Sequence, residues 1–309
     1  MIQQIYLAQP RGFCAGVKRA IEIVNLALEK FDRPIWVNHE IVHNKSVVAS
    51  FVSQGVVFSD DVEAIPQDAI YILSAHGTAP SFRKKVEDRG ITIIDATCPL
   101  VTKVQWEAQK FEGEGYSIFY IGQKNHQEAI GVTDVAPMTY ISNESDIEAL
   151  ETEFLAQSEK WVVLTQTTLS VDDTQDLIGR LKEKVPDLKE PGDLCYATQN
   201  RQDGVKALVE KSCEFIVVIG SSNSSNSNKM VTTAKQYGVD SKLFDTVEEI
   251  PETLFDAEII GLTSGASAPD RLVMGVIEKA KLINPDLSIE VVLTKDESGL
   301  TFPLPKELR

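Results

Sequence analysis

Short apolar, β-branched runs alternate along this chain with longer stretches of helical period. Residues 5–8 read as a buried strand. Residues 15–31 follow, with Val17, Ala20, Ile21, Val24 and Leu28 close to the spacing of one helix face. Residues 35–37, 69–74 and 91–94 are further strands, and a charged helical pattern at 81–89 separates the last two. The second third repeats the plan. A helix runs from Cys98-Pro99 to about 112, with proline at a tolerated first-turn position, and a strand follows at 116–121. Another strand at 161–164 ends in Thr165-Gln166-Thr167-Thr168, and Ser170-Val171-Asp172-Asp173 reads as a helix start. In the last third the strand 215–220 feeds a serine/asparagine loop at 221–228 and a helix at 229–237. A strand at 258–263 feeds Ser264-Gly265-Ala266-Ser267-Ala268-Pro269-Asp270, with Ser267 as a helix cap.

Strands alternating with helices imply α/β domains with mostly parallel sheets. In such sheets ligands bind where strand C-terminal ends lead into helix N-termini. The acidic, proline-containing stretch 184–193 is the clearest linker. The expected domains are 1–97, 98–194 and 195–283, with the tail 284–309 packing back on the core.

Each expected domain carries one cysteine at a helix start. Cys14 lies in Pro-Arg-Gly-Phe-Cys-Ala-Gly, Cys98 in Asp-Ala-Thr-Cys-Pro-Leu and Cys195 in Gly-Asp-Leu-Cys-Tyr-Ala. His43, His126 and Ser224 come 29, 28 and 29 residues after them, and His76, Thr167 and Ser267 come 62, 69 and 72 residues after. One cysteine and two polar loops, three times over, suggest three similar domains around one thiolate-bound metal centre. The helix N-terminus lowers thiol pKa, and thiolates favour zinc or an iron–sulfur cubane. Cys213 has no counterpart in the other thirds and reads as a small core residue.

His39-Glu40-Ile41-Val42-His43 matches the zinc-protease pattern, which needs both histidines on one helix. Here the segment follows a strand with no cap between, and Asn44 is the natural cap of the next helix. His43 is better placed as a ligand-contacting loop residue. His43, His76 and His126 all stand in repeat loops, and imidazole donors suit an anion such as a diphosphate. The 221–228 run, at a strand-to-helix junction, suits an anion too. Glu128 would have a raised pKa, suited to proton delivery, if its loop lines a closed pocket.

The composition narrows the classes. Thirty basic against 46 acidic residues give a formal charge of −16, which argues against nucleic-acid binding. Four cysteines in 309 residues are not a disulfide framework. No apolar run approaches a membrane span and no signal peptide is visible, so a cytoplasmic enzyme with reduced thiols is expected.

Together with Cys195-Tyr-Ala-Thr-Gln-Asn-Arg-Gln and Gly-Ser-Ser-Asn-Ser224-Ser225-Asn226-Ser-Asn, these motifs resemble the 4-hydroxy-3-methylbut-2-enyl diphosphate reductase family of isoprenoid biosynthesis, in order over nearly the whole chain. The resemblance implies a pseudo-threefold trefoil of three α/β/α domains around one 4Fe-4S cluster, with Cys14, Cys98 and Cys195 as ligands and one iron left open. It implies that His43, His76, His126, Thr167, Ser224, Ser225, Asn226 and Ser267 hold the substrate, and that Glu128 delivers a proton with Thr167. The implied reaction is the two-electron, two-proton dehydroxylation of the allylic diphosphate to isopentenyl and dimethylallyl diphosphate. Gln127 departs from the family, standing where many members have proline. No dinucleotide or flavin fingerprint is present, so electrons come from outside, in this family from a ferredoxin or flavodoxin. Lys18 and Arg19 are candidates for the basic patch that docks it. The rival readings are a cluster-dependent hydratase needing no reductant, a sensor that binds diphosphate without turnover, and a zinc peptidase.

Overall fold

The computed structural model describes residues 1–192 and 194–309, and of Asp173 the backbone alone. The end of the expected linker, Asp193, lies outside the described residues. The described strands are β1 (Gln4–Gln9), β2 (Ile35–Val37), β3 (Val57–Phe58), β4 (Ile70–Leu73), β5 (Thr92–Asp95), β6 (Ser117–Ile121), β7 (Thr139–Ile141), β8 (Trp161–Thr165), β9 (Phe215–Ile219), β10 (Asp240–Phe244), β11 (Ile259–Ser264) and β12 (Ser288–Leu293). The α-helices are α1 (Ala15–Lys30), α2 (Lys45–Val52), α3 (Pro80–Asp88), α4 (Pro99–Gly113), α5 (Gln127–Thr133), α6 (Glu144–Glu148), α7 (Thr152–Leu155), α8 (Val171–Lys184), α9 (Tyr196–Glu210), α10 (Ser225–Gln236) and α11 (Asp270–Ile283). The expected α/β class with parallel sheets is what forms.

The chain divides into two compact units. The first comprises Met1–Arg19, Val42–Gln54 and Tyr196–Pro303. Its sheet is five-stranded in the order β10-β9-β11-β1-β12, and every pairing in it is parallel. A parallel sheet covered on both faces needs strands that are apolar throughout, as Phe-Ile-Val-Val-Ile in β9 is. Val217, Ile219 and Leu262 pack against Val273 and Ile277 of α11. On the other face Ile216 and Val218 meet Leu208 of α9 and Met230 of α10. Each such buried aliphatic side chain contributes about 2 kcal/mol.

β1 is a correction to the expected first domain, 1–97. It joins no strand of that segment but pairs with β11 from Gln4 opposite Ile259 and with β12 from Gln4 opposite Ser288. Ile5 and Leu7 are buried on one face of β1 and Ala8 on the other, as suits a strand in the interior of a covered parallel sheet.

The second unit, Ala20–Ile41, Gly55–Cys195 and Leu304–Arg309, holds two parallel sheets. One has the order β3-β2-β4-β5 and the other β7-β6-β8. Phe119 and Val163 on one face of the smaller sheet pack with Ile178 and Leu181 of α8. Tyr120 and Leu164 on the other face pack with Val104 of α4 and Val132 of α5.

The strand orders mark where a parallel sheet offers a ligand crevice. In each sheet one pair of neighbours marks the place where successive connections turn in opposite directions, and parallel sheets open a crevice there. These pairs are β2 and β4, β6 and β8, and β9 and β11. The loop after β4 carries His76, and that after β2 leads to His43. Beyond β6 lies His126, beyond β8 Thr167, beyond β9 Ser224 and beyond β11 Ser267. The six loop residues chosen from spacing thus fall on the switch-point loops.

Two local expectations are corrected. Residues 225–228 form the first turn of α10 rather than a loop, because Ser224 caps it by accepting the Ser227 N–H. Ser267 does not cap α11; Pro269 is in the cap position, and the Ser267 hydroxyl turns to the His43 carbonyl at 2.9 Å. Arg19 donates to the Pro303 carbonyl at 2.7 Å. The zinc-protease pattern forms no helix: His39 has left-handed backbone at φ 54°, and Asn44 caps α2 as expected.

Candidate active site

In the second unit a continuous path of contacts joins six of the candidate residues. The Cys98 N–H donates to the Ala75 carbonyl at 3.0 Å, which ties the residue before α4 to the residue before His76. Gly77 turns the chain there at φ 83°, and a Cβ on it would lie 2.8 Å from Val101 Cγ1. The rings of His76 and His126 meet edge to face, 6.4 Å between centroids. α5 reaches this loop because Gly131 lacks a side chain; a Cβ would stand 2.7 Å from Gln105 Nε2 and 3.7 Å from the Gly77 carbonyl carbon.

His126 caps α5, its Nδ1 accepting the Glu128 N–H at 3.2 Å. A nitrogen that accepts carries no proton, so the neutral ring is protonated at Nε2. Glu128 follows within the first turn and is only 1% exposed. Its Oε1 accepts the Thr167 N–H at 2.7 Å, and its Oε2 accepts the Thr167 hydroxyl at 3.0 Å. Burial disfavours the charged carboxylate and raises the Glu128 pKa to about 7, against the lowering effect of the two bonds from Thr167. The Thr167 carbonyl in turn accepts the Cys195 N–H at 3.1 Å.

Two supporting groups escape a reading by spacing. Gln166, fully buried, accepts the Gln123 N–H at 3.0 Å and donates to Thr168 at 2.8 Å, holding the loops after β6 and β8 together. Asp60 accepts the His39 N–H at 2.7 Å and pairs with its ring at 3.2 Å, and this hydrogen bond holds the imidazole above its usual pKa. Gln127 Nε2 lies 3.5 Å from the same ring nitrogen. Gln166 stands inside a motif already singled out; Asp60 has no sequence signal.

The first unit gathers the other six. The Cys14 N–H donates to the Ala266 carbonyl at 3.1 Å, next to Ser267 and its bond to His43. The Lys45 N–H donates to Ser221 Oγ at 3.0 Å and joins the start of α2 to the loop after β9. Ser225 Oγ and both carboxamide atoms of Asn226 are buried with no hydrogen-bond partner among the described residues. Buried polar atoms are nearly always paired. Unpaired donors in the first turn of a helix are of the kind that suits an anion.

None of the four cysteines is in a disulfide. Cys14, Cys98 and Cys195 are partly buried, each one residue before a helix. Burial pushes the Cys14 thiol up, opposed by the Val17 and Gly16 N–H groups and by the charge of Arg201. Among the described residues no three His, Cys, Asp or Glu side chains form a group that could hold a metal ion. Taken singly, each of the three cysteines has the helix-start setting of a thiolate ligand. Cys213 is a core residue as expected, its thiol pushed up to about 12 by burial.

Comparison with known proteins decides the family. The family model described as LytB protein matches residues 5–281. The chain belongs to the LytB protein family. Curated relatives in the LytB family include the 4-hydroxy-3-methylbut-2-enyl diphosphate reductase of Pseudomonas aeruginosa, 44% identical over 99% of this chain and 98% of the relative. That of Saccharophagus degradans is 45% identical over 99% of both. Among solved structures, the E-1-hydroxy-2-methyl-but-2-enyl-4-diphosphate reductase of Plasmodium falciparum superposes with a TM-score of 0.94 at 35% identity, covering 100% of this chain and 97% of that one. A second, titled (E)-4-hydroxy-3-methyl-but-2-enyl diphosphate reductase, the terminal enzyme of the non-mevalonate pathway, gives 0.67 at 27% identity over 91% and 100%. The family match takes in β2 to β11 and all of β1 but Gln4. Among the described residues no helix is long and apolar enough to cross a membrane.

Proposed function

We propose that this chain is the reductase that removes the hydroxyl from (E)-4-hydroxy-3-methylbut-2-enyl diphosphate, giving isopentenyl and dimethylallyl diphosphate with two electrons and two protons. Cys14, Cys98 and Cys195 would hold a 4Fe-4S cluster. When bound, that cluster supplies the electrons and an iron free of protein ligand as Lewis acid. An external ferredoxin- or flavodoxin-type donor would recharge it.

The observation that carries the reading is the Glu128–Thr167 pair. A carboxyl with a pKa near 7 is half protonated at neutral pH, where an ordinary glutamate is an anion. In the neutral acid Oε1 still accepts the Thr167 N–H, so the proton sits on Oε2 and donates to Thr167 Oγ1. The Thr167 hydroxyl hydrogen then turns outward. A proton leaving through Thr167 to the departing hydroxyl oxygen is replaced from Glu128 in one step. Ser225, Asn226 and the α10 N-terminus bind the diphosphate, and Ser224 shapes that turn through its cap. His43, His76, His126 and Ser267 complete the substrate contacts, with His126 donating from Nε2.

The test is anaerobic purification, with iron and sulfide content and the visible spectrum measured for wild type and Cys98→Ser. The reading expects a brown wild type and a variant with reduced iron content. A colourless, iron-free wild type overturns it, and turnover without reductant favours a hydratase instead.

A further inference from the structure

Arg201 is the largest fully buried side chain among the described residues, at 0% exposed. It lies on α9, and the mechanism gives it no task. Its Nη2 donates to the Gly12 carbonyl at 2.9 Å, two residues before Cys14. Its Nη1 is paired with Glu297, which also accepts from Asn200 Nδ2 at 2.9 Å. Its Nε has no hydrogen-bond partner among the described residues. All these groups belong to the first unit.

A buried guanidinium is costly unless every donor is used and its charge matched. Glu297 matches the charge but leaves the buried Nε without a partner among the described residues. The rest of the Cys14 turn is closely tied down. The Gly12 N–H donates to Ser264 Oγ at 2.9 Å, the Cys14 N–H to the Ala266 carbonyl at 3.1 Å, and the Ala15 N–H to the Tyr196 hydroxyl at 3.3 Å. Arg201 is the charged member of that frame. A guanidinium bonded to the turn two residues before Cys14 favours negative charge there, and the paired carboxylate of Glu297 partly cancels that field. Residues that orient a ligand and set the charge around its sulfur tune metal retention and potential.

We propose that Arg201 is a positioning residue for Cys14, with its charge tempered by Glu297, fixing the turn that presents this sulfur and setting the electrostatic environment of the cluster. This rests on the cluster reading above. The experiment uses anaerobically prepared holoenzyme, wild type, Arg201→Met, Arg201→Lys and Glu297→Gln. Iron release to a chelator and the midpoint potential are measured by spectroelectrochemistry. Arg201→Met should release iron about 10-fold faster, the usual scale for a residue behind a ligand, and should have a lower potential. Glu297→Gln should raise the potential, because it leaves the guanidinium unopposed while its carboxamide oxygen still accepts from Arg201. Arg201→Lys should recover the potential but not the slow release, since an ammonium keeps the charge and loses the fork. Opposite shifts from two neighbours cannot come from loosened packing alone. Wild-type potential and iron release in Arg201→Met, or shifts of the same sign in Arg201→Met and Glu297→Gln, overturn the proposal. If Arg201→Met does not fold, the Glu297→Gln shift alone decides it: no rise in potential overturns it. A wild type without iron and sulfide overturns the cluster reading as well.

Discussion

Replacing Glu128 with glutamine tests the site at its most unusual point. The carboxamide has the shape of the carboxyl. Its oxygen can keep the Thr167 N–H, and its NH2 can donate to Thr167 Oγ1, so the fold retains both bonds while the titration is lost. The folded carboxyl has a pKa of about 7 against an ordinary 4.5. At about 1.4 kcal/mol per unit, the difference corresponds to roughly 3 kcal/mol of pH-dependent stability. The folded pKa is the higher one, so this contribution is full below about 4.5 and is lost as pH rises through about 7. Urea unfolding of cluster-free protein, followed by tryptophan fluorescence, reads it directly. Trp36, Trp106 and Trp161 all lie in the unit that carries Glu128. Between pH 5 and pH 8 the wild type should lose roughly 2–3 kcal/mol relative to Glu128→Gln. With cluster and reductant, the variant should turn over at least about 10²-fold more slowly and lack the alkaline limb near pH 7. Parallel pH–stability curves for the two proteins would refute the raised pKa, and near-normal turnover would refute the acid role.

Thr167→Val keeps the backbone bond to Glu128 and removes the hydroxyl. Its kcat should fall about 10²-fold with KM little changed, and the alkaline limb should move to higher pH as the carboxylate loses a stabilising donor. Asn226→Ala should raise KM, and the Ki of inorganic diphosphate, about 10- to 100-fold, the range of a lost hydrogen bond to a charged group. Its thermal stability should not fall, since the carboxamide has no hydrogen-bond partner to lose. Gly77→Ala must place a Cβ 2.8 Å from Val101 Cγ1 at φ 83°, and a thermal melt should show destabilisation of roughly 2 kcal/mol.

The sequence period revealed most helices and the buried strands, because those segments are apolar on every face or on one clear stripe. β3 is two residues long and β10 opens Asp240-Ser241-Lys242, so neither carries a pattern to read. β12 has exposed Val291 and Leu293 and is placed by pairing with β1 rather than by its own burial. The same long-range pairing drew β1 out of the segment its position suggested. Spacing and motif picked out the candidate residues, but their environment was not legible. The acidity of Glu128 is set by burial and by Thr167, 39 residues away, and the bond is visible only once β6 and β8 are neighbours. Arg201 lay in plain view in a quoted motif, yet nothing in the string says that an arginine is buried.

The near-equal intervals behind each cysteine have a structural cause. From Cys14, Cys98 or Cys195 the chain makes one helix of 16, 15 or 15 residues, then one strand, then the polar loop. A single helix–strand unit has little room to vary in length, because the helix must return the chain across the face of its sheet. The next interval crosses an edge strand and comes back. That excursion holds α2, β3 and a short 3₁₀ turn in one case, α5, β7, α6 and α7 in another, and α10, β10 and a 3₁₀ turn in the third. Edge connections face solvent and tolerate insertions, so these intervals spread from 33 to 43 residues while the first stay at 28 or 29. Constancy of the first interval and drift of the second both fit a switch point: the helix–strand step that leads to its first loop is fixed in length, and the excursion between its two loops is not.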